Sequence, residues 1–252
     1  MKNVFRLSGV ILLILSIFLI HSCKKDNVEK DLPIKLTIVK GTVTDIDGNV
    51  YKTITLMKKT HTDEDKLYPV GTWMAENLKT TKYSNGELIG TTVPVTLNIS
   101  NNSVASYQWP VGNNESNVAT YGRLYTWYVA SDNRNVCPTG WHVSTRGDWT
   151  GLNNFMVVKY DNSRTSSDNG SRLKEVGTTH WPSPNIDATD EIGFTALPTG
   201  SRNKLGASNI TEHAYWWVND YGWVYNLDYS TNLFFSWMNT PLSGFSIRCV
   251  KD

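Results

Sequence analysis

The sequence predicts an α+β fold, and three observations carry the prediction. Near the start, strand-like runs at Thr37, Val39 and Val43 and at Val50, Tyr51, Ile54 and Leu56 flank an Asp-Gly turn; glycine accepts the positive φ that a tight hairpin requires. In mid-chain, Thr145 precedes Asp148 by three residues, and Trp149, Leu152, Phe155 and Met156 then form one apolar stripe at helical spacing. Toward the end, Tyr215–Val218, Trp223–Leu227, Leu233–Trp237 and Phe245–Val250 read as strands separated by turn residues.

The 252 residues leave room for one large domain with a sizeable core. Aromatic residues make up 12 % and charged residues only 19 %, which excludes disorder for most of the chain. Without residues 1–22, which carry Lys2 and Arg6, 22 basic side chains face 23 acidic ones, a net charge of −1. That balance offers no basic field for a phosphate backbone, so nucleic acid is not expected as a partner.

Taken in order, residues 1–22 have a short basic start, an apolar run from Val10 to Ile20 and a small-residue boundary at Ser22, the layout of a secretory signal. Ile20-His21-Ser22-Cys23 resembles the lipobox of bacterial lipoproteins, which implies that Cys23 is the lipidated N-terminus of the mature chain. Several acyl chains would hold the protein to the membrane, at about 0.8 kcal/mol per buried CH₂. The charged stretch Lys24–Pro33 reads as a tether, so the expected organisation is a leader over 1–22, lipid and tether over 23–40 and a folded domain over 41–252. The implied location is the bacterial cell envelope, as an outer-membrane lipoprotein.

Within the hairpin, Asp45, Asp47 and Asn49 alternate like part of a calcium loop but lack the remaining ligands, so turn chemistry is expected. Residues 58–70 read as polar loop, and residues 83–118, rich in Asn, Ser, Thr and Gly, as strands joined by long surface loops. Leu124, Trp127 and Tyr128 suggest a short buried helix. Residues 160–185 read as loop with a helical turn over 171–176. Cys137 and Cys249 lie far behind the export signal without a competing Cys-x-x-Cys pair, so a mutual disulfide is the economical expectation, with two buried free thiols as the alternative.

Five ordered motifs then stand out: Trp73-Met74-Ala75-Glu76-Asn77-Leu78, the run Tyr121–Tyr128, Cys137-Pro138-Thr139-Gly140-Trp141-His142-Val143, Ala196–Arg202, and Gly244-Phe245-Ser246-Ile247-Arg248-Cys249-Val250. Together they resemble the Fibrobacter succinogenes major paralogous domain over nearly all of residues 41–252. The resemblance implies a C-type lectin-like fold, akin to that of formylglycine-generating enzymes, with two helices, irregular antiparallel sheets and pairing of the N- and C-terminal strands. It also implies that Cys137 and Cys249 form a structural bridge.

Catalytic constellations are not legible. A Gly-x-Ser-x-Gly elbow is missing, and His142, His180 and His213 lack metal-ligand spacing. The oxidases of the resembling fold use a cysteine pair to hold copper, whereas these cysteines sit in the bridge motifs. Trp217-Val218-Asn219-Asp220 is similar to the calcium-ligand motif of lectins, but an inserted valine breaks it, and a hairpin turn over 219–222 is expected instead. Accordingly, no metal and no cofactor are expected.

The aromatic tail is what remains. Ten of the 23 residues from Tyr215 to Trp237 are aromatic, and alternate positions in strands face opposite sides, so about a third of the rings are expected in solvent. The candidate ligand-binding residues are Trp217, Asn219, Asp220, Trp223, Tyr225, Tyr229 and Trp237, since indoles and phenols stack on sugar rings or anchor protein partners. The expected function is a non-catalytic, lipid-anchored binding module for polysaccharide or a cell-surface protein. The alternatives are an enzyme of the formylglycine-generating type and a purely structural or adhesive envelope protein.

Overall fold

The Asp-Gly turn closes a hairpin of Leu36–Thr44 (β1) and Val50–Lys59 (β2), paired antiparallel with Thr44 opposite Val50. Of its acids, Asp45 serves the turn itself and Asp47 ties the turn to residues 80–82. Asp45 accepts from the amides of Asp47 and Asn49 and from the Tyr51 hydroxyl. Asp47 accepts from the Thr81 amide at 2.7 Å and pairs with Lys82 at 2.9 Å. Burial opposes ionisation of Asp47, but hydrogen bonds from Thr81, Lys82 and Thr80 outweigh it and hold the carboxyl at about 2.

The computed structural model describes residues 36–59, 66–102, 105–160, 166–210 and 212–252. The expected leader, the lipidated Cys23 and the tether up to residue 35 lie outside the described residues. Residues 36–40 belong to β1 and not to a tether, because Leu36 and Ile38 pack on the core. The polar stretch 58–70 also differs from expectation: its end opens a third strand, Leu67–Met74 (β3). This strand is exposed over its first half and carries Pro69 beside a register shift at Leu56/Met57, so it lacks the alternation that marks a strand in sequence.

The chain continues through Gln108–Pro110 (β4), Val118–Tyr121 (α1), Arg123–Tyr125 (β5), Trp127–Ala130 (α2), Trp141–Val143 (β6) and Arg146–Tyr160 (α3). It then forms Ser201–Arg202 (β7), Ser208–Asn209 (β8), His213–Trp217 (β9), Trp223–Asp228 (β10), Phe234–Met238 (β11) and Cys249–Lys251 (β12). Among the described residues these form four sheets, β1-β2-β3-β12-β6, β11-β10-β9, β4-β5 and β7-β8, with every pair antiparallel. The last strand does return to the N-terminal sheet, but Val250 lies opposite Trp73 of β3, and β1 stays at the sheet edge.

Mixed α+β architecture is therefore observed, with fewer long helices than expected. Of the two helices the resemblance implies, α3 is long, whereas the run around Leu124 divides into β5 and the single turn α2. Pairing with β4 draws Arg123–Tyr125 into extended backbone before a helix can propagate. The helical turn placed at 171–176 is a 3₁₀ segment over Ser166–Arg172.

Helix α3 starts as its sequence indicates. Thr145 Oγ1 accepts from the Asp148 amide at 3.2 Å, while the Asp148 carboxylate accepts from the Thr145 amide at 2.7 Å. Its apolar stripe of Trp149, Leu152, Phe155 and Met156 is buried against Trp73, Phe194 and Trp216. A second apolar cluster gathers Tyr51, Leu78, Tyr125, Trp217 and Phe245 around the Cys137–Cys249 disulfide, whose Cα atoms lie 5.9 Å apart.

Irregular loops are tied down by buried cations that hold main-chain oxygens. The Arg248 guanidinium donates to Asn77 Oδ1 and to the carbonyls of Met74, Phe194 and Thr195. Burial pushes it down to about 9, so it stays charged at neutral pH. Arg202 donates to the carbonyls of Asn203, Val95 and Leu97, and Lys174 to those of Ile186, Asp228 and Thr231. Most backbone oxygens in such loops have no ladder partner, and a multivalent cation satisfies several at once.

One titratable clamp closes the chain end. His142 of β6 bonds Asp252 at 2.7 Å and Asp148 of α3 at 3.1 Å. Burial works against its charged form, but the bonds to Asp252 and Asp148 raise its pKa above 6.5. A raised folded-state value means that the stabilisation is complete below pH 6.5 and is lost as pH rises through the folded value. Urea midpoints at low salt are expected to fall across that window, and His142→Gln to flatten the fall. An unchanged slope in the variant would refute the clamp.

Candidate ligand-binding face

Strands β9, β10 and β11 form the sheet that carries the aromatic tail, and their register sorts every ring onto one of two faces. Tyr225 lies opposite Trp216 and Ser236, while Val224 lies opposite Trp217 and Trp237. Because side chains alternate, Ala214, Trp216, Trp223, Tyr225, Leu227 and Phe234 turn toward α3. Trp149 stacks on Tyr225 at 4.8 Å, and Tyr225 on Phe234 at 4.7 Å.

The opposite face carries His213, Tyr215, Trp217, Asn226, Asp228, Phe235 and Trp237. Its inner part is covered: Trp217 is 0 % exposed, meets Phe245 at 4.7 Å and donates its indole N–H to the Tyr125 carbonyl at 2.6 Å. Its outer part is open. Phe235 is 40 % and Trp237 36 % exposed, and Tyr215 lies half-buried with its ring edge-on to Trp237 at 5.9 Å. His213 lies 5.6 Å from Tyr215, centroid to centroid, and 3.3 Å from the Asp228 carboxylate. Burial, then the Asp228 charge, raises the Tyr215 phenol, which stays protonated as a hydrogen-bond donor at neutral pH.

The expected set of site residues is therefore divided. Of the ten aromatic residues, three are exposed, Tyr221, Phe235 and Trp237, close to the expected third. Among the residues chosen as a surface, Trp237 faces solvent and Trp217 does not: as a core residue it cannot stack on a ligand. Trp223, Tyr225 and Tyr229 are half-buried and pack against the α3 cluster, with the Arg146 guanidinium 4.2 Å above the Trp223 ring.

The hairpin turn over 219–222 forms, with Gly222 at φ 68°. In it, Asp220 accepts from the Arg146 amide at 3.1 Å and so serves the start of α3, while the Asn219 amide bonds the Ser144 carbonyl. Tyr215, Phe235, His213 and Asp228 complete the open patch instead. Only strand parity could have shown this, and parity follows from register.

As chemistry, the open patch offers flat rings for stacking beside a carboxylate, an imidazole and a phenol that can hydrogen-bond. Each of the three histidines singled out in the sequence has a carboxylate neighbour: His142 has Asp148 and Asp252, His180 has Glu175, and His213 has Asp228. Among the described residues, no three His, Cys, Asp or Glu side chains converge as metal ligands.

No curated protein and no solved structure matches the chain. The family model described as Fibrobacter succinogenes major domain matches residues 70–251. It begins inside β3 and ends in β12, so it spans the sheet seam, the disulfide, α3 and the aromatic sheet. With more than two thirds of its length matched, the chain belongs to the Fibrobacter succinogenes major domain family.

Proposed function

We propose that this protein is a non-catalytic binding module of the bacterial cell envelope, held to the outer membrane through a lipidated Cys23, and that its ligand is a polysaccharide. The observation that carries the reading is the open patch of Phe235 and Trp237 beside Tyr215, left in solvent by a sheet whose other rings are packed. Exposed rings flanked by hydrogen-bonding groups match the two-sided chemistry of a sugar, with its apolar C–H face and its hydroxyl rim.

A C-type lectin-like arrangement is part of the same proposal. The return of β12 to the N-terminal sheet and the bridge at Cys137–Cys249 support it. That bridge also argues against the copper-oxidase alternative, whose metal needs both thiols. A protein partner is the second reading, favoured by the position of β11 at the sheet edge, where an added strand could pair.

The test is a glycan array and a cellulose pull-down with residues 24–252. Trp237→Ala is expected to weaken retention about tenfold, the equivalent of roughly 1.4 kcal/mol, with circular dichroism unchanged. Absence of any retained glycan, or equal retention by a Phe235→Ala/Trp237→Ala variant, would refute the proposal.

A further inference from the structure

A cleft of about 460 Å³ opens between the β1–β2 hairpin and the loop 190–195, and it shares no residue with the aromatic patch. Its floor is apolar, with Ile38, Ile54, Ala75 and Ile192, and its rim carries Lys40, Lys52 and Asp190. Lys40 lies opposite Ile54 and Lys52 opposite Thr42, so the two lysines are diagonal neighbours on one sheet face. Both are exposed; the Lys40 ammonium has no hydrogen bond or ion pair among the described residues, and the Lys52 ammonium acts on the Glu76 carboxylate only through space, while its amide donates to that carboxylate at 2.7 Å.

The facing loop is held rigid in an unfavourable conformation. Asp190 accepts from the Thr195 amide and hydroxyl, each at 2.7 Å, which closes the loop into a ring. Asp190 has φ 45° and Thr195 φ 50°. The left-handed region is costly for a β-branched residue, and such strain persists where surrounding contacts enforce it, often beside a ligand site. Here the enforcing contact is Arg248, which takes the carbonyls of Phe194 and Thr195 from below.

Charge decides what the cleft favours. Glu76 is paired with Lys79 at 3.1 Å and Glu191 lies 3.6 Å from Arg172, so both are offset. Asp190 is already engaged by the Thr195 amide and hydroxyl and by the Arg248 charge beneath the loop, which leaves Lys40 and Lys52 as the cations on the rim that can meet a ligand. We infer that this cleft binds a small carboxylate, with the anion between Lys40 and Lys52 and the body of the molecule over the apolar floor. The shared chemistry is the carboxylate, whether an acidic sugar or a branched aliphatic acid carries it.

Ligand-observed saturation-transfer NMR on the full-length chain tests this at constant ionic strength, with glucuronate, isobutyrate and neutral glucose as probes. Saturable transfer is expected to at least one carboxylate, with a dissociation constant of about 1 mM, and the stronger of the two names the body that fits. Lys40→Gln/Lys52→Gln should weaken it at least about tenfold. Trp237→Ala should leave transfer to isobutyrate unchanged, which separates this cleft from the aromatic face. In a Phe235→Ala/Trp237→Ala background, which removes the aromatic patch, silence of both carboxylates, an equal response from glucose, or binding that survives the double lysine variant would overturn the inference.

Discussion

Reduction of the Cys137–Cys249 bridge is expected to destabilise the fold by about 4–5 kcal/mol. The two cysteines are 112 residues apart, so the bridge removes a large share of the conformations open to the unfolded chain. In the native state both residues are buried in the cluster with Tyr125, Trp217 and Phe245, and Cys249 pairs with Val143 of β6. The folded contacts need change little when the bond opens, which places the effect in the unfolded state. With an m-value of about 3 kcal/mol/M, the urea midpoint should fall by about 1.5 M, whether dithiothreitol or a Cys137→Ala/Cys249→Ala variant removes the bridge. A fall below about 0.3 M in both would show that the clusters on either side hold the domain without the covalent tie.

The part of this structure that was legible in sequence is the part fixed by neighbours along the chain. Asp45 and Gly48 specify a hairpin because the acid bonds amides two and four residues on and the glycine takes φ 84°. Thr145 and Asp148 announce α3 for the same reason, since a capping box is a contact between residues three apart. Parity in the aromatic sheet was not legible.

Trp216 and Trp217 are adjacent, chemically identical and both buried, yet one meets α3 and the other meets Phe245. Which is which depends on the pairing of β9 with β10 and on the Trp217 amide bonding the Ser246 carbonyl, far away in sequence. A slip of one residue would exchange the two faces and make a different set of rings the exposed one. For that reason Trp217 read as a surface residue, while Phe235 and Tyr215 were overlooked. Arg248 was visible as a motif residue, but its role was not, because its four acceptors come from residues 74, 77, 194 and 195.

Trp149→Ala is expected to cost about 3–5 kcal/mol, at the upper end of core truncations. The ring is 0 % exposed and lies within 6 Å of five others: Trp73 at 4.8 Å, Tyr225 at 4.8 Å, Phe234 at 5.4 Å, and Phe194 and Trp216 at 5.7 Å. These neighbours come from β3, the 190–195 loop and all three strands of the aromatic sheet, so the void cannot close by moving one side chain. Its indole N–H also donates to Ser144 Oγ at 3.0 Å, and truncation leaves that hydroxyl without this donor.

For a domain of this size, the loss corresponds to a melting temperature lower by about 6–20 °C, and Trp149→Phe should recover part of it. The effect reaches the proposed binding face because Tyr225 and Trp216, which rest on Trp149, are paired neighbours in the sheet whose reverse side presents Tyr215, Phe235 and Trp237. Trp149→Ala should therefore lower both the melting temperature and ligand retention, whereas Trp237→Ala should lower retention alone. A melting temperature within about 3 °C of the parent would mean that the aromatic cluster is not the support of this sheet.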